Sequence, residues 1–368
     1  MPSMLSRVAD SIYWMSRLVE RADNVARFVE VNLYLEIDLP DHSAKSWSPL
    51  VAATGDDKLF EERYGAPTRQ NVIKFLTFDR EYSNSILACL RLARENARSV
   101  REAIPSELWE QLNGFYHLVR DQSSDRMASD ELADFYKRIR MESHLFHGIA
   151  DDIMARGEGW HFFNMGRLVE RADKTSRLID VKYFTLLPRI SDVGSPTDNL
   201  QWAAVLRSVS GFEMYRKQHH LIAPSKVVAF LLLDREFPRS ALHCLRNASL
   251  SLHAISGNPI EQPRLVPEVL LRNLIGEFEY ASVEAVLLYG LHEFVDGFQR
   301  RLNEIGGGIY ETFLQWRTMT EEEAASASPS TLPSTNGEPS VNGASHRSGS
   351  RSPVLIQTQG QTQTQTQG

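Results

Sequence analysis

Cysteines are scarce in this sequence, and long apolar runs are absent. Two cysteines in 368 residues exclude a disulfide scaffold and predict reduced thiols. The longest wholly apolar run, Val227 to Leu233, has seven residues, whereas a membrane-spanning helix needs about 20. Four charged side chains interrupt the first 20 residues, so we expect no signal-peptide core there. These features predict a cytoplasmic protein without a membrane span.

The sequence also lacks a basic excess. It carries 40 lysines and arginines against 47 aspartates and glutamates, for a formal net charge of −7. Because proteins that bind a nucleic-acid duplex usually carry a basic excess, we do not expect nucleic acid as a partner. Apolar residues make up 42% of the chain, which is ordinary for a protein that buries a sizeable core.

Strand-like alternation is absent, whereas helical periodicity is strong. Apolar residues follow spacings of three and four along two segments, namely Leu5, Val8, Ile12, Met15, Val19, Ala22, Ala26 and Val29, and then Leu87, Leu90, Ala93, Ala97 and Val100. The sequence therefore predicts an all-α fold.

Self-comparison indicates an internal duplication. The seven residues Arg17 to Asp23 recur unchanged as Arg167 to Asp173, 150 positions later. The pattern Phe-Leu-x-x-Asp-Arg-Glu at 75–81 recurs at 230–236, 155 positions later. Because this period is too long for a solenoid repeat, we interpret residues 1–155 and 156–320 as two copies of one helical module. We expect the copies to form a pseudo-twofold helical bundle.

The composition changes in the last part of the chain. Residues 321–368 are rich in serine, proline, threonine and glutamine and contain few large apolar side chains. Such a segment buries too little apolar area to offset the entropy of ordering it. We predict that this C-terminal tail is disordered.

One side of the first predicted helix is charged, and the second copy repeats the pattern. The residues of this side, at steps of three and four, are Arg17, Glu20, Arg21, Asn24 and Arg27 in the first copy and Arg167, Glu170, Arg171, Lys174 and Arg177 in the second. An amphipathic helix would expose this side to water. However, Tyr13, Trp14 and Phe28 lie within or beside it, so we expect it to be partly covered.

The expected partners of these charges come from two sources. Glu20 stands three positions after Arg17 and can pair with it along the helix. The triplets Asp79-Arg80-Glu81 and Asp234-Arg235-Glu236 are predicted to lie at helix N-termini, where Asp79 and Asp234 would pair with the arginines. The remaining guanidinium groups would be free for a carboxylate or a phosphate.

Two interpretations of this charged side stay open. Buried arginine–carboxylate networks often only fix the register of helices, which would make the residues structural. Alternatively, the same residues would line a binding site. The repetition of the pattern does not separate these interpretations, because both predict it.

Motifs for cofactors and metals are absent. The sequence has no glycine-rich phosphate loop, no His-Glu-x-x-His and no Glu-x-x-His pattern on paired helices. His144 and His147 could share a helix face, but no acidic or cysteine residue stands at ligand spacing. Cys89 and Cys244 are predicted to be buried, unreactive thiols. We predict neither a metal nor a cofactor.

The opening segment carries a family resemblance. Residues 4–22 read MLSRVADSIYWMSRLVERA, and residues 166–173 read GRLVERAD. With both Asp-Arg-Glu triplets, they resemble the alpha-E family, also called family of unknown function 403, over about residues 4 to 318. Many members have glycine before the first arginine, where this chain has Ser16 in the first copy and Gly166 in the second.

The resemblance implies a bacterial all-helical protein that acts with two others. These are a circularly permuted ATP-grasp protein and a transglutaminase-like cysteine peptidase, in a system that makes or trims amide bonds. We expect a non-catalytic accessory or scaffold protein. One alternative is an enzyme of amide-bond chemistry in which Glu20 or Glu170 is a general base beside arginine electrophiles. Another is a purely structural bundle that dimerises.

Overall fold

A computed structural model of the chain describes residues 4–38, 47–52, 54–122, 129–185 and 196–315. Every regular element within these ranges is a helix, so the predicted all-α class is confirmed. The described residues belong to the unit Met1–Arg317, the first of two into which the chain divides. The segment 321–368, for which we predicted disorder, lies outside the described residues.

Fifteen α-helices occur within the described ranges. The first seven are α1 Ser6–Asp38, α2 Ser48–Ala52, α3 Asp57–Tyr64, α4 Arg69–Ile73, α5 Ile86–Ser99, α6 Ser106–Arg120 and α7 Ser129–Ile153. The other eight are α8 Glu158–Thr185, α9 Pro196–Ser208, α10 Phe212–Gln218, α11 Pro224–Leu232, α12 Ala241–Ser256, α13 Val266–Tyr280, α14 Val283–Tyr289 and α15 Leu291–Ile309. Two π-helical turns, Lys74–Phe78 and Tyr310–Leu314, extend α4 and α15.

The two long helices α1 and α8 form the most extensive helix pair among the described elements. Met4 donates its backbone N–H to Glu158, and further along Arg17 contacts Glu170 and Glu20 contacts Arg171. The residue numbers in contact increase together, so the two helices run parallel. Helices α5, α7 and α9 pack on α1, and α12 and α15 pack on α8.

Helix α1 is buried on two sides. The predicted apolar side is confirmed as core, since Ile12, Met15, Val19 and Ala22 are completely buried. With 33 residues, α1 is about 50 Å long and is packed against several neighbouring helices. The charged side is also covered, as expected from the neighbouring aromatic rings, because α8 packs against it.

A glycine sets the close approach of α8 to α1. A methyl group added at Gly166 would lie 2.4 Å from the carbonyl oxygen of Tyr13 and 3.3 Å from Cγ of Arg17. No side chain fits at the first of these distances without movement of the backbone. Gly166 therefore brings the charged residues of α8 within hydrogen-bonding reach of those of α1.

The loops before α5 and α12 share one capping arrangement. Oδ1 of Asp79 accepts the backbone N–H groups of Glu81 and Tyr82, at 2.8 and 3.0 Å. The helix itself begins at Ile86, where Ser85 is the N-cap. The expectation that this triplet lies at a helix N-terminus is therefore wrong: Asp79 caps a separate turn, and the serine takes the N-cap position.

The second loop repeats this arrangement. Oδ1 of Asp234 accepts the N–H groups of Glu236 and Phe237, at 2.8 and 2.7 Å. Ser240 is the N-cap of α12, and its hydroxyl donates to the backbone carbonyl of Asp234. The predicted helix N-terminus is wrong here too, for the same reason.

None of the helices in the described ranges combines the length and the apolar character needed to cross a bilayer.

Candidate functional site: an ionic layer between α1 and α8

Glu170 on α8 is completely buried and accepts hydrogen bonds from two arginines of α1. Arg17 donates from Nε and Nη2 to Oε2, at 3.0 and 2.9 Å. Arg21 donates from Nε to Oε1 at 2.7 Å and from Nη2 to Oε2 at 3.0 Å. Lys174 stands one turn further along α8, with its Nζ 3.6 Å from Oε1. The carboxylate is thus held by three cations.

Glu20 on α1 is also completely buried, and its contacts mirror those of Glu170. Arg171 of α8 donates from Nε to Oε1 and from Nη2 to Oε2, both at 2.8 Å. Arg239, from the loop before α12, adds a bond to Oε1 at 3.0 Å. Asn24 donates to the same oxygen at 3.1 Å, and Nε2 of His147 lies 3.3 Å from Oε2.

The two Glu-Arg pairs are therefore reciprocal. Each buried glutamate binds the arginine that follows the other glutamate in sequence. The expected pairing of Glu20 with Arg17 along α1 is wrong, because Arg17 binds Glu170 instead. The reason is geometric: the close contact of α1 and α8 places a buried carboxylate where both arginine forks reach it, a stronger arrangement than a neighbour on the same helix.

An additional cation beside each reciprocal pair comes from different positions around the two glutamates. Lys174 contacts both Glu170 and Asp173 from within α8. Arg239 contacts both Glu20 and Asp23 from a loop. By the offsets of the sequence self-comparison, Asn24 is the counterpart of Lys174, and Asn84 is the counterpart of Arg239.

A second carboxylate extends the layer on each helix. Nε of Arg27 donates to Asp23 at 2.7 Å, and Nε of Arg177 donates to both oxygens of Asp173, at 3.1 and 3.0 Å. Arg27 is only 1% exposed, and it also contacts Ser210 and His144. The predicted residues Arg27 and Arg177 thus belong to the same layer as the two Glu-Arg pairs.

The surroundings keep both glutamates ionised. Burial acts to raise the pKa of Glu20, but Arg171 and Arg239 outweigh it and hold the pKa well below its ordinary value. Burial likewise acts to raise the pKa of Glu170, and Arg21, Lys174 and Arg17 lower it well below the ordinary value.

The same surroundings keep the adjacent imidazole neutral. Burial lowers the pKa of His147 to about 4 despite its contact with Glu20. The layer at neutral pH therefore consists of ionised carboxylates, guanidinium groups and a neutral His147.

The arginine forks are already occupied. Every guanidinium nitrogen of Arg17, Arg21 and Arg171 donates to a protein acceptor, including Tyr13 and Asn84 as well as the glutamates. The expectation that these forks are free for an external anion is therefore wrong.

Arg167 departs from its counterpart Arg17. It does not contact Glu20 but donates to Asp151 at 3.1 Å and to Asn164 at 2.6 Å. Its Nε is buried and has no hydrogen-bond partner. Asp151 pairs with Arg167 and therefore lies at the edge of the ionic layer.

Asp79 and Asp234 do not join the layer, contrary to our expectation. Besides the capping bonds described above, Oδ2 of Asp79 accepts a bond from Tyr64 at 3.1 Å and lies 3.5 Å from Nη1 of Arg63. Oδ2 of Asp234 accepts from Gln218 at 3.5 Å. Both carboxylates serve the turn that precedes a helix, so they are not available to the arginines of α1 and α8.

The other members of the two triplets are exposed. They are Arg80, Glu81, Arg235 and Glu236. Glu81 lies 3.6 Å from Arg63, at the surface. These four predicted residues thus lie apart from the ionic layer.

The two cysteines and the histidine pair that the sequence singled out are enclosed by, or in contact with, other residues of the chain. Cys89 and Cys244 are fully buried, and burial raises their pKa values to about 11 and 12. His144 contacts Arg27, and His147 contacts Glu20. Within the described part of the chain, no group of three potential metal ligands is present.

Sequence reasoning did not identify Arg239, Asn84 or His147 as members of the layer. Arg239 and Asn84 occupy matching positions in the two capping loops but differ in residue type, so self-comparison passes over them. The signal that could have found them is their place next to the N-cap serines Ser240 and Ser85. Both loops contact α1, through Arg21 and Glu20.

Comparisons with known proteins give a family and distant relatives. Residues 4–314 match the model of the Alpha-E family, described as a predicted alpha-helical domain with a conserved ER motif. An uncharacterised protein of Mycobacterium bovis is 24% identical over 317 residues, covering 78% of this chain and 35% of that protein. An uncharacterised protein of Mycobacterium tuberculosis is 23% identical with the same coverage. The chain thus spans about a third of the length of these curated relatives. No solved structure matches it significantly.

Proposed function

The chain belongs to the Alpha-E family, and from this premise we propose that it is a non-catalytic helical scaffold whose Glu-Arg pairs lock its two central helices together. The observation that carries this proposal is the burial of Glu20 and Glu170, both completely inaccessible and held by cations of the chain itself, two around Glu20 and three around Glu170. Such a layer fixes the register of α1 on α8.

The alternative of an enzyme that uses these glutamates is less well supported. A general base must reach the proton that it abstracts, and it works best with a pKa near the working pH. Glu20 and Glu170 have no exposed surface, and their pKa values are held well below the ordinary range. The arginines that would act as electrophiles are engaged by the same carboxylates.

The partners that we propose are a circularly permuted ATP-grasp ligase and a transglutaminase-like peptidase, in the synthesis or modification of amide bonds in the cytoplasm. The family resemblance carries this choice. One further observation agrees with it: the matched region makes up only 35% of the mycobacterial relatives. In those proteins, the region similar to this chain is joined to a longer stretch of additional chain.

Reconstitution of the ligase tests the scaffold against the enzyme. Amide-bond formation would be measured for the ATP-grasp protein alone, with the wild-type chain, and with the variant Glu20→Gln. The scaffold predicts co-purification and a stimulation that Glu20→Gln retains below its unfolding temperature. The exposed Glu102→Gln is the matched control. Loss of stimulation in a Glu20→Gln variant that is still folded would favour the enzyme, and a failure to co-purify would contradict the scaffold.

We also propose that residues 1–155 and 156–320 are duplicated modules related by a pseudo-twofold axis. The reciprocal contacts of Glu20 with Arg171 and of Glu170 with Arg21 support this proposal. The matched capping turns before α5 and α12 support it independently, since they repeat contact by contact.

A further inference from the structure

The short helix α14 leaves most of its apolar side chains uncovered. Of its seven residues, only Val286 is buried. Leu288 is 91% exposed and Tyr289 is 70% exposed, while Tyr280, at the end of α13, is 92% exposed. Single exposed apolar residues are common, but a group of this kind marks an interaction surface.

A recess of about 470 Å³ adjoins this surface. Tyr289 forms part of its wall, and the remainder comes from the end of α13 and one face of α15. Phe294 contributes an aromatic ring, whereas most other lining residues are charged. An apolar surface thus borders a charged depression on the same side of the domain.

The charge of the recess is negative. Its carboxylates are Glu277, Glu293 and Glu304, and its cations are Arg300 and Arg301. Arg301 pairs with Glu277. Arg300 pairs at 3.2 Å with Asp296, a residue of α15 that does not line the recess. Glu293 forms no ion pair with any residue in the described ranges. An incoming cation would therefore find a carboxylate that has no ion-pair partner in the part of the chain that the structure describes, next to exposed leucine and tyrosine side chains.

We propose that α14 and the adjoining recess dock a basic, amphipathic segment of a partner protein. Its apolar side chains would cover Leu288 and Tyr289, and its lysine or arginine side chains would enter the recess beside Glu293 and Glu304. This inference rests on the proposed scaffold function, and it names the surface that the partner uses. A second copy of the chain fits less well, because an isologous contact would bring acidic recesses together.

Binding of two synthetic peptides to the full-length chain tests the docking surface directly. One peptide carries leucines at steps of three and four, so that they share one face of a helix, and lysines on the opposite face. The other peptide has glutamate in place of each lysine. We expect the lysine peptide to bind at least about ten-fold more tightly, and Leu288→Glu or Glu293→Lys to remove about ten-fold of that affinity. Leu145→Glu, at a 52% exposed leucine of α7, and Glu102→Lys are matched controls.

The inference is overturned if both peptides bind equally or if Leu145→Glu weakens binding as much as Leu288→Glu does. Sedimentation of the chain alone provides a second test, since a dimer that Leu288→Glu dissolves would identify a second copy as the occupant and overturn the proposed partner.

Capture of the ATP-grasp protein separates this inference from the scaffold proposal. If the wild type and Leu288→Glu both capture it, the docking surface is wrong and the scaffold stands. If neither captures it while the peptide preference holds, the scaffold is wrong and the surface stands.

Discussion

Replacement of Gly166 by alanine should strongly destabilise the domain, although alanine is the better helix former. Gly166 lies where α8 passes closest to α1, and the added methyl carbon would stand 2.4 Å from the carbonyl oxygen of Tyr13. A carbon–oxygen contact normally measures about 3.3 Å or more. The two helices would therefore have to separate by nearly 1 Å, which would also stretch the contact of Arg17 with Glu170.

The expected magnitude combines two opposing effects. Overpacking in a filled core costs about 1–3 kcal/mol, and separation of the ionic layer adds to that cost. Replacement of glycine by alanine within a helix gains about 1 kcal/mol. We expect the free energy of unfolding to fall by about 2 kcal/mol or more.

Gly148 provides the matched control. It is an exposed glycine within α7, and an added methyl group would meet no atom within 4 Å. Gly148→Ala should therefore leave stability unchanged or raise it by up to about 1 kcal/mol. Urea denaturation of both variants, followed by circular dichroism, measures the difference. If Gly166→Ala is as stable as Gly148→Ala, the close contact of α1 and α8 is refuted.

Three further predictions concern single side chains. Arg21→Ala should lower the free energy of unfolding by about 3 kcal/mol, because this change removes a cation from a fully buried carboxylate. In the same urea titration, the control Arg80→Ala at the surface should change the free energy of unfolding by less than about 0.5 kcal/mol. Burial acts to raise the pKa of Glu268, but hydrogen bonds from backbone N–H groups lower this pKa to about 2. The ionised carboxylate therefore stabilises the fold above the unfolded pKa of 4.5, and this contribution is lost as the pH falls towards 2. Glu268→Gln should flatten the dependence of the free energy of unfolding on acid pH, and an unchanged slope would contradict this role. Because burial raises the pKa values of Cys89 and Cys244, neither thiol should react with a disulfide reagent at neutral pH until the chain unfolds, and rapid reaction of the native protein would contradict their burial.

Helical periodicity predicted the class of the fold and the apolar side of α1. The aromatic residues Tyr13 and Trp14 also predicted correctly that the charged side is covered. The ring of Trp14 lies 4.7 Å from the guanidinium carbon of Arg17, in agreement with the prediction that aromatic residues partly cover the charged side. The complete burial of Glu20 and Glu170 exceeds the partial covering that the pattern predicted.

The partners of the buried charges could not be predicted in the same way. Sequence spacing describes neighbours on one helix, and it favoured a pair between Arg17 and Glu20. The distance between two helices depends on side-chain volume at their contact, here on Gly166, which no spacing rule reports. Asp79 was misassigned for a related reason: a repeated carboxylate beside a helix can serve the backbone of a turn as well as an arginine.

The different origins of the additional cation beside the two glutamates have a consequence for variation between relatives. Glu20 receives its extra positive charge from Arg239 and accepts a hydrogen bond from Asn24 on its own helix, whereas Glu170 receives that charge from Lys174, and the loop residue Asn84 accepts a hydrogen bond from Arg21. Each glutamate thus has one basic residue and one asparagine at the corresponding helix and loop positions, which are 24 and 239 for Glu20 and 174 and 84 for Glu170. Arg239→Asn alone would leave Glu20 with Arg171 as its one cation among the described residues, whereas Asn24→Lys together with it would supply a second. Amino-acid changes at positions 24 and 239 should therefore be correlated among homologues rather than independent.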